Sequence, residues 1–158
     1  TLCISHSVRM PNFDTAMAKV KKYELILEDE MTLEVIGISS AFADYRLAWE
    51  LNQCFNINLV KNNDVFEVNP IKSKDTLSFR YFSFLDEEFL TRIYLIKNRQ
   101  DQGLFQADRP MIDFFLVLRE NFSFQKEVLI QQLRKINGIV AVFDFPENEF
   151  ELISYLTS

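Results

Sequence analysis

"MIDFFLVLRENFSFQKEVLIQQLRKINGIVAVFDF", residues 111–145, is the segment that most constrains the architecture of this chain. It begins with an apolar run of strand length, continues with apolar side chains at helical spacing from about Ser123 to Asn137, and ends with the apolar run "IVAVFDF". Ser123 is expected to cap the helix, and Gly138 fits the left-handed position that commonly follows a helix. The segment therefore predicts a strand–helix–strand (βαβ) unit over residues 112–145.

A second strand–helix segment, "TLEVIGISSAFADYRLAWELNQCF", occupies residues 32–55. We expect a strand over 32–39 and a helix over 41–55, with Ser39 or Ser40 as its cap, because a serine side chain accepts hydrogen bonds from first-turn amides. Two adjacent apolar stripes at helical spacing predict a helix that is buried on more than one side. The stripes are Leu47, Ala48, Leu51, Cys54 and Phe55, and beside them Phe42, Tyr45 and Trp49.

The remaining apolar runs have the length of strands and are separated by polar turns. They are residues 22–28, 57–61, 64–69, 76–85 and 89–98, with "RQDQG" at 99–103 as a loop. The chain therefore reads as two strands and a helix, several strands, and the βαβ unit. This order predicts an α+β fold: a mostly antiparallel sheet with two main helices packed on it, and a ferredoxin-like or ACT-like βαβ unit in the C-terminal half.

The first residues differ from the rest of the chain. Residues 1–16 show no sustained periodicity, and "MAKVKK" from Met17 resembles a natural start. We expect 1–16 to be a disordered tail or non-native leader and 17–158 to form a single α+β domain. His6, the only histidine, then lies outside the fold.

Composition excludes several classes of protein. The chain is 48% hydrophobic, which is too apolar for intrinsic disorder, and its net charge of −6 weighs against binding of a phosphate backbone. No apolar run approaches the roughly 20 residues that span a bilayer. Cys3 and Cys54 form no recognisable disulfide or zinc spacing. We therefore expect a cytoplasmic protein without membrane contact and with nucleic acid as an unlikely partner.

Missing residue types limit the chemistry further. Without a histidine in the fold there is no Ser-His-Asp or Cys-His arrangement, and the three glycines stand too far apart to form a phosphate-binding loop. We therefore predict no catalytic residue, no metal site and no cofactor. A carboxylate-only magnesium site built from Asp44, Asp108 and Asp113 stays open, although their spacing gives it no support.

Two polar features each allow a structural and a functional interpretation. Asp44-Tyr45-Arg46 cannot act as one constellation, because adjacent helical residues point in different directions. The structural interpretation makes Tyr45 a core side chain with its hydroxyl at the edge and places Asp44 at the positive end of the helix dipole. The functional interpretation is a ligand or partner site.

Asp113 shares a strand face with Phe115 and Val117, where an ionised carboxylate is costly unless it is paired. Either it sits at the end of the strand and accepts hydrogen bonds from loop amides, or it forms a buried pair with an arginine that lines a pocket. The candidate arginines are Arg46, Arg80, Arg92 and Arg109.

"SFRYFSF" at residues 78–84 combines aromatic side chains with an arginine, as strands that stack single-stranded bases do. It lacks the glycine-containing pattern of an RNA-recognition strand, and the acidic net charge disfavours this use. Packing in the core is the favoured interpretation.

"IGISSAFADYRLAWELN" (36–52) and "LFQADRPMIDFFLVL" (104–118) resemble the IPExxxVDY family of small Bacteroidetes proteins. That family has an "IGISS…DYRL" junction and, later, Ile-Pro-Glu, three free positions and Val-Asp-Tyr. Gln106-Ala107-Asp108 stand where Ile-Pro-Glu would, so only the acidic third position survives. Ile112-Asp113-Phe114 match Val-Asp-Tyr with the spacing intact, and the resemblance covers about Met17 to Phe145.

The resemblance carries over no catalytic residue. It implies that one polar cluster, with a binding or structural role, unites both segments: Asp44, Tyr45, Arg46, Asp108 and Asp113. We expect Arg46 to pair with Asp113 or Asp108 where the helix start and the strand start meet.

The favoured function is a non-catalytic protein-interaction or regulatory module that binds a protein partner or itself. The alternative is a binder of an anionic small molecule, or an enzyme, with Asp113 as base or anchor, Arg46 as clamp and Tyr45 as donor. A third hypothesis is a single-strand nucleic-acid binder that uses the aromatic side chains of residues 79–82.

Overall fold

A computed structural model describes residues 32–68, 76–101 and 103–146. The predicted strand at 22–28 and the expected tail at 1–16 lie outside the described residues. The described elements are β1 (Leu33–Ser40), α1 (Asp44–Phe55), β2 (Val60–Lys61), β3 (Phe66–Val68), β4 (Leu77–Phe79), β5 (Tyr81–Leu85), β6 (Arg92–Lys97), β7 (Arg99–Gln100), β8 (Gly103–Leu104), β9 (Phe114–Arg119), α2 (Lys126–Lys135) and β10 (Ile139–Phe145).

The main sheet has six strands in the order β10-β1-β9-β6-β5-β2, and each neighbouring pair is antiparallel. Two small hairpins, β3-β4 and β7-β8, accompany it. The second of these occupies the predicted loop at 99–103. The prediction of an α+β fold with a mostly antiparallel sheet and two helices is therefore confirmed.

β1 is hydrogen-bonded on both sides, so it separates the two strands of the predicted βαβ unit. Ile36, for example, stands opposite Leu116 of β9 and Asp144 of β10. Because β9 and β10 are both antiparallel to β1, they run parallel to each other, and α2 connects them across β1. This is a split βαβ arrangement. Its ferredoxin-like or ACT-like identity stays a prediction.

Both faces of the central strands β1, β9 and β6 are buried, which explains why these strands are nearly continuous apolar runs. Alternate side chains of a strand point to opposite faces. Ile36 faces the two helices and packs in one cluster with Leu51 and Leu133, whereas Val35 and Phe115 face the other side. That other side is covered by side chains of β3, β4 and the loop after β8, which include Phe66, Phe79, Phe105 and Ile112.

α1 begins at Asp44, three residues later than predicted, and the predicted serine cap is wrong. The N-cap is Ala43, which makes no side-chain capping bond. Ser40 still belongs to β1; its hydroxyl accepts from the Phe42 amide at 3.1 Å and donates to the Gly138 carbonyl at 2.8 Å. Ser40 therefore links the end of β1 to the chain that leads into β10.

α2 begins at Lys126 with Gln125 as its N-cap, two residues after the predicted cap. Ser123 does not cap it; its hydroxyl donates to the Asp86 carboxylate at 2.7 Å. Gly138 lies beyond the helix with φ +108°, and a Cβ there would lie only 2.1 Å from the Phe42 ring. Both the backbone angle and the ring contact require a glycine at this position.

The predicted strand at 76–85 is split at Arg80. The Arg80 amide donates to the Gln100 side chain at 2.7 Å, and the Gln100 side chain donates back to the Arg80 carbonyl at 2.9 Å. Residues before Arg80 pair with β3 and residues after it pair with β6. The apolar run at 76–85 thus contributes one strand to the β3-β4 hairpin and another to the main sheet.

Candidate functional site

Asp113 fastens the end of β1 to the start of β9. Its Oδ2 accepts the Ser40 amide at 2.8 Å and lies 3.2 Å from the donating Ser39 hydroxyl. Its backbone amide donates to the Ile38 carbonyl at 3.0 Å, and its carbonyl accepts the Asn98 amide at 2.8 Å. This geometry is close to the strand-end interpretation, except that the carboxylate binds an amide and a hydroxyl of β1 where loop amides were expected.

Asn98 organises the loop that contains the triplets 106–108 and 112–114. The sequence analysis did not single out Asn98. Its side chain is fully buried, and its Nδ2 donates to the carbonyls of Arg109 at 2.9 Å and Ile112 at 2.8 Å. Its Oδ1 accepts the Gln106 amide at 2.8 Å. Its backbone carbonyl accepts the Phe105 amide. The only signal in the sequence is a polar side chain at the end of the apolar run "RIYLIKN".

The other polar residues of this loop point to a structural role for it. Asp108 is exposed. Gln106 is buried, and its Nε2 has no hydrogen-bond partner within the described part of the chain. The Arg109 guanidinium lies over the Phe145 ring, 4.7 Å from its centroid. Arg109 thus attaches the loop to the end of β10.

Two side chains of the second apolar stripe, Tyr45 and Trp49, lie on the surface of α1, so the prediction of a core Tyr45 is wrong; Phe42, which precedes the helix, is partly buried and packs against the core. Tyr45 is 71% exposed and Trp49 is 51% exposed. The Arg46 guanidinium lies 5.7 Å from the centroid of the Phe42 ring and 5.1 Å from that of the Trp49 ring. Arg46 also donates to Glu50 at 2.9 Å. The helix buries only the stripe of Leu47, Ala48, Leu51 and Phe55.

The structure divides the predicted polar cluster into three places. Asp44 begins α1, where its carboxylate accepts the Tyr45 amide at 2.7 Å. Asp113 binds the end of β1, and Asp108 lies in the exposed part of the loop. The expected pair of Arg46 with Asp113 or Asp108 is replaced by the pair of Arg46 with Glu50. The family-like segments do meet, but through the serines of "GISS" and Asp113.

The aromatic side chains of "SFRYFSF" are mainly core residues. Phe79 and Tyr81 are buried in the cluster on the side of the sheet away from the helices, and Phe82 packs against the helix-side cluster. Tyr81 stacks on Phe66 with 3.9 Å between ring centroids. These rings therefore do not form the exposed stacking surface that the nucleic-acid hypothesis requires.

Other kinds of site have little support in the described ranges 32–68, 76–101 and 103–146. They contain no group of three or more side chains able to hold a metal ion. None of their helices is long and apolar enough to cross a membrane. A cavity between the helix layer and the sheet has an apolar lining, formed by Leu51, Phe55, Ile57, Ile93, Leu116, Leu118, Phe124 and Leu129. Such a lining offers no polar group to orient a ligand.

No protein-family model matches the chain, and no curated protein matches it. The resemblance to the IPExxxVDY family therefore stays a prediction.

Proposed function

We propose that the protein is a non-catalytic, cytoplasmic interaction module that self-associates through one side of α1. We call this side, together with Phe42 just before the helix, the α1 face: Phe42, Tyr45, Arg46, Trp49 and Glu50. One observation carries the proposal: Tyr45 and Trp49 are both exposed on a helix whose opposite side lies in the core. Tryptophan, tyrosine and arginine are the residue types that most often dominate the binding energy of interfaces.

The α1 face is chemically self-complementary. Arg46 and Glu50 lie one helical turn apart and carry opposite charges. A twofold axis between two antiparallel copies of α1 would place Arg46 of each copy near Glu50 of the other. Exchanging the pair in this way keeps both charges satisfied while the rings of Tyr45 and Trp49 are covered.

The face is also preorganised. Arg46 is already held between Phe42 and Trp49, so little side-chain freedom remains to be lost when a partner binds. At the start of the helix, Ser40 is fixed by Asp113 and by the Gly138 carbonyl. The backbone that leads into the α1 face is therefore fixed relative to the sheet, which favours one defined orientation of the face.

The small-molecule alternative has weaker support. It needs Asp113, Tyr45 and Arg46 to converge on one space. Instead, Asp113 binds the serines of β1, Arg46 binds Glu50, and Tyr45 is turned to solvent. Each of the three groups thus has a separate partner or faces solvent, which gives a shared ligand site no support.

The test is the mass of the full chain in solution, measured by light scattering after size exclusion for the wild type, Trp49→Ser and Tyr45→Ser. We expect a dimer for the wild type and a monomer for both variants, with unchanged circular dichroism. Leu90→Asn is the matched control, because it removes an exposed apolar side chain elsewhere and is expected to leave a dimer. A monomeric wild type at tens of micromolar would contradict the proposal.

A further inference from the structure

A second exposed apolar pair lies at the end of the sheet where β1 begins. Leu90 is 65% exposed and Phe122 is 56% exposed. They belong to two loops, residues 86–91 between β5 and β6 and residues 120–125 between β9 and α2. The Phe122 amide donates to the Thr91 hydroxyl oxygen at 3.0 Å, so the two loops are in contact beside both side chains.

Buried hydroxyl groups join the two loops into one unit. Ser123 and Thr91 are both buried, and their hydroxyl oxygens lie 2.9 Å apart. The Ser123 hydroxyl donates to the Asp86 carboxylate, and the Thr91 hydroxyl donates to the Glu120 carbonyl at 2.9 Å. The backbone positions of Leu90 and Phe122 are therefore linked through this network.

The backbone of both loops is in an unusual conformation at non-glycine residues. Leu90 has φ +59° and Glu120 has φ +52°. The left-handed region is readily adopted by glycine and asparagine, and it is unfavourable for a branched apolar side chain. The loop turn is closed by the bond from the Leu90 amide to the Asp86 carbonyl, which needs no particular side chain, and asparagine adopts this backbone region more readily than leucine does. An exposed leucine at this position is explained better by binding than by folding.

The charged side chains within the two loops are all acidic, whereas the strands behind the loops carry arginines. Residues 86–91 and 120–125 include four carboxylates and no basic side chain. The carboxylates are those of Asp86, Glu87, Glu88 and Glu120. Arg92 and Arg119 stand opposite each other in the strands behind the loops. The Asp86 carboxylate is bonded within the loops, so the acidic rim of the exposed apolar pair consists of Glu87, Glu88 and Glu120.

We propose that this surface, which we call the loop-end surface and define by Leu90, Phe122 and their acidic rim, binds a basic amphipathic segment of a partner protein. Apolar side chains of the segment cover Leu90 and Phe122, and its lysines or arginines face Glu87, Glu88 and Glu120. Complementary charge steers the encounter, and the apolar pair supplies the contact area.

The loop-end surface is distinct from the α1 face. The Glu120 amide donates to the Thr32 carbonyl at the start of β1, whereas Ser40 and Asp113 meet at the other end of that strand. The two ends of an eight-residue strand are about 23 Å apart. The two proposals can therefore fail independently.

The probe is a labelled synthetic helix of leucine and lysine about four turns long, with leucines on one face, and a twin with glutamate in place of lysine. Fluorescence anisotropy with the full chain measures binding, and hydrogen exchange locates it. The variants are Phe122→Ser, Leu90→Asn and the charge reversal Glu87→Lys/Glu88→Lys. Val140→Ser and Asp101→Lys are the matched controls, since both positions are exposed elsewhere.

We expect the lysine peptide to bind, the glutamate twin to bind at least about tenfold more weakly, and each of the three variants to weaken binding about tenfold. Exchange protection should fall on residues 86–91 and 120–125. Controls that weaken binding as much as Phe122→Ser, protection elsewhere, or equal binding of the two peptides would each overturn the proposal. The proposal would also be overturned if the lysine peptide did not bind. This includes the case in which another part of this chain already occupies the surface.

Discussion

The Asp113 carboxylate accepts the backbone amide of Ser40 at 2.8 Å, although the two residues stand 73 positions apart in the chain. This bond fixes the point at which the chain leaves β1 and turns towards α1. Because α1 begins four residues later, the same bond sets the position of the α1 face relative to the sheet. The carboxylate thus has a positioning role, in a segment where the sequence allowed either a strand-end carboxylate bonded to amides or an ion pair with an arginine.

Removing this carboxylate is expected to destabilise the fold. Asp113→Ala should lower the free energy of unfolding by about 2 kcal/mol, because hydrogen bonds to a charged acceptor contribute more than neutral ones. Asp113→Asn should cost less, since it keeps an acceptor oxygen. Urea unfolding followed by circular dichroism measures both. Asp108→Ala is the control at an exposed site and should change stability by less than about 0.5 kcal/mol.

A larger loss is expected at Asn98. Asn98→Ala leaves the carbonyls of Arg109 and Ile112 and the amide of Gln106 without their bonds in a buried site, which should cost about 3 kcal/mol or more. Urea unfolding gives the magnitude. Compared with the wild type, the variant should also show a larger acceleration of hydrogen exchange at the Gln106 amide than at the β1 amides. A change below about 1 kcal/mol would contradict the role assigned to Asn98.

Replacing Gln106 is expected to have the opposite effect, a gain in stability. Its Nε2 is buried and has no hydrogen-bond partner among the described residues, so the amide loses its hydration without compensation. Gln106→Met has similar length and no buried donor, and it should raise the free energy of unfolding by about 1 kcal/mol. The increase should appear in the urea midpoint without a change in slope. A destabilised variant would show that this side chain contributes through its polar group.

The pH dependence of the unfolding free energy should show a contribution from the Cys54 thiol. Burial, and then the Glu50 carboxylate, raise the pKa of the Cys54 thiol above its ordinary value. The folded state therefore keeps this thiol protonated while the unfolded state, with an ordinary pKa of about 8.5, loses the proton. The contribution to stability is fully present below that ordinary pKa and is lost as the pH rises through the folded pKa.

This prediction is measured in a Cys3→Ser background, so that only Cys54 is titrated. At pH 8 the thiol should react with a disulfide reagent more slowly in the folded protein than in urea. The fall in unfolding free energy at alkaline pH should be smaller in Cys54→Ala. Equal thiol reactivity in the two states would contradict the raised pKa.

Local patterns in the sequence were sufficient to predict the fold class. The apolar periodicities of 32–55 and 111–145 predicted both helices and their flanking strands, because periodicity reports which side chains share a face. The caps were wrong for a physical reason. Ser40 and Ser123 bind Gly138 and Asp86, which are distant in sequence, and such partners compete with capping.

The site was harder to predict than the fold. The stripe with Tyr45 and Trp49 was recognised, yet periodicity does not say whether a second layer covers a stripe. Asn98 was missed because its importance comes from backbone groups of a loop that follows it, and no pattern in the sequence marks them. Asp113 was recognised, but its partner turned out to be the serine pair instead of Arg46.

The most direct test of the α1 face is a charge exchange at Arg46 and Glu50, read by native mass spectrometry of the full chain. In a twofold pair, Arg46→Glu places like charges against each other at both contacts, and so does Glu50→Arg. We predict that each variant alone is monomeric and that an equimolar mixture forms a one-to-one heterodimer, because the mixed pair restores opposite charges. Variants that stay dimeric alone, or a mixture that stays monomeric, would contradict self-association through this face.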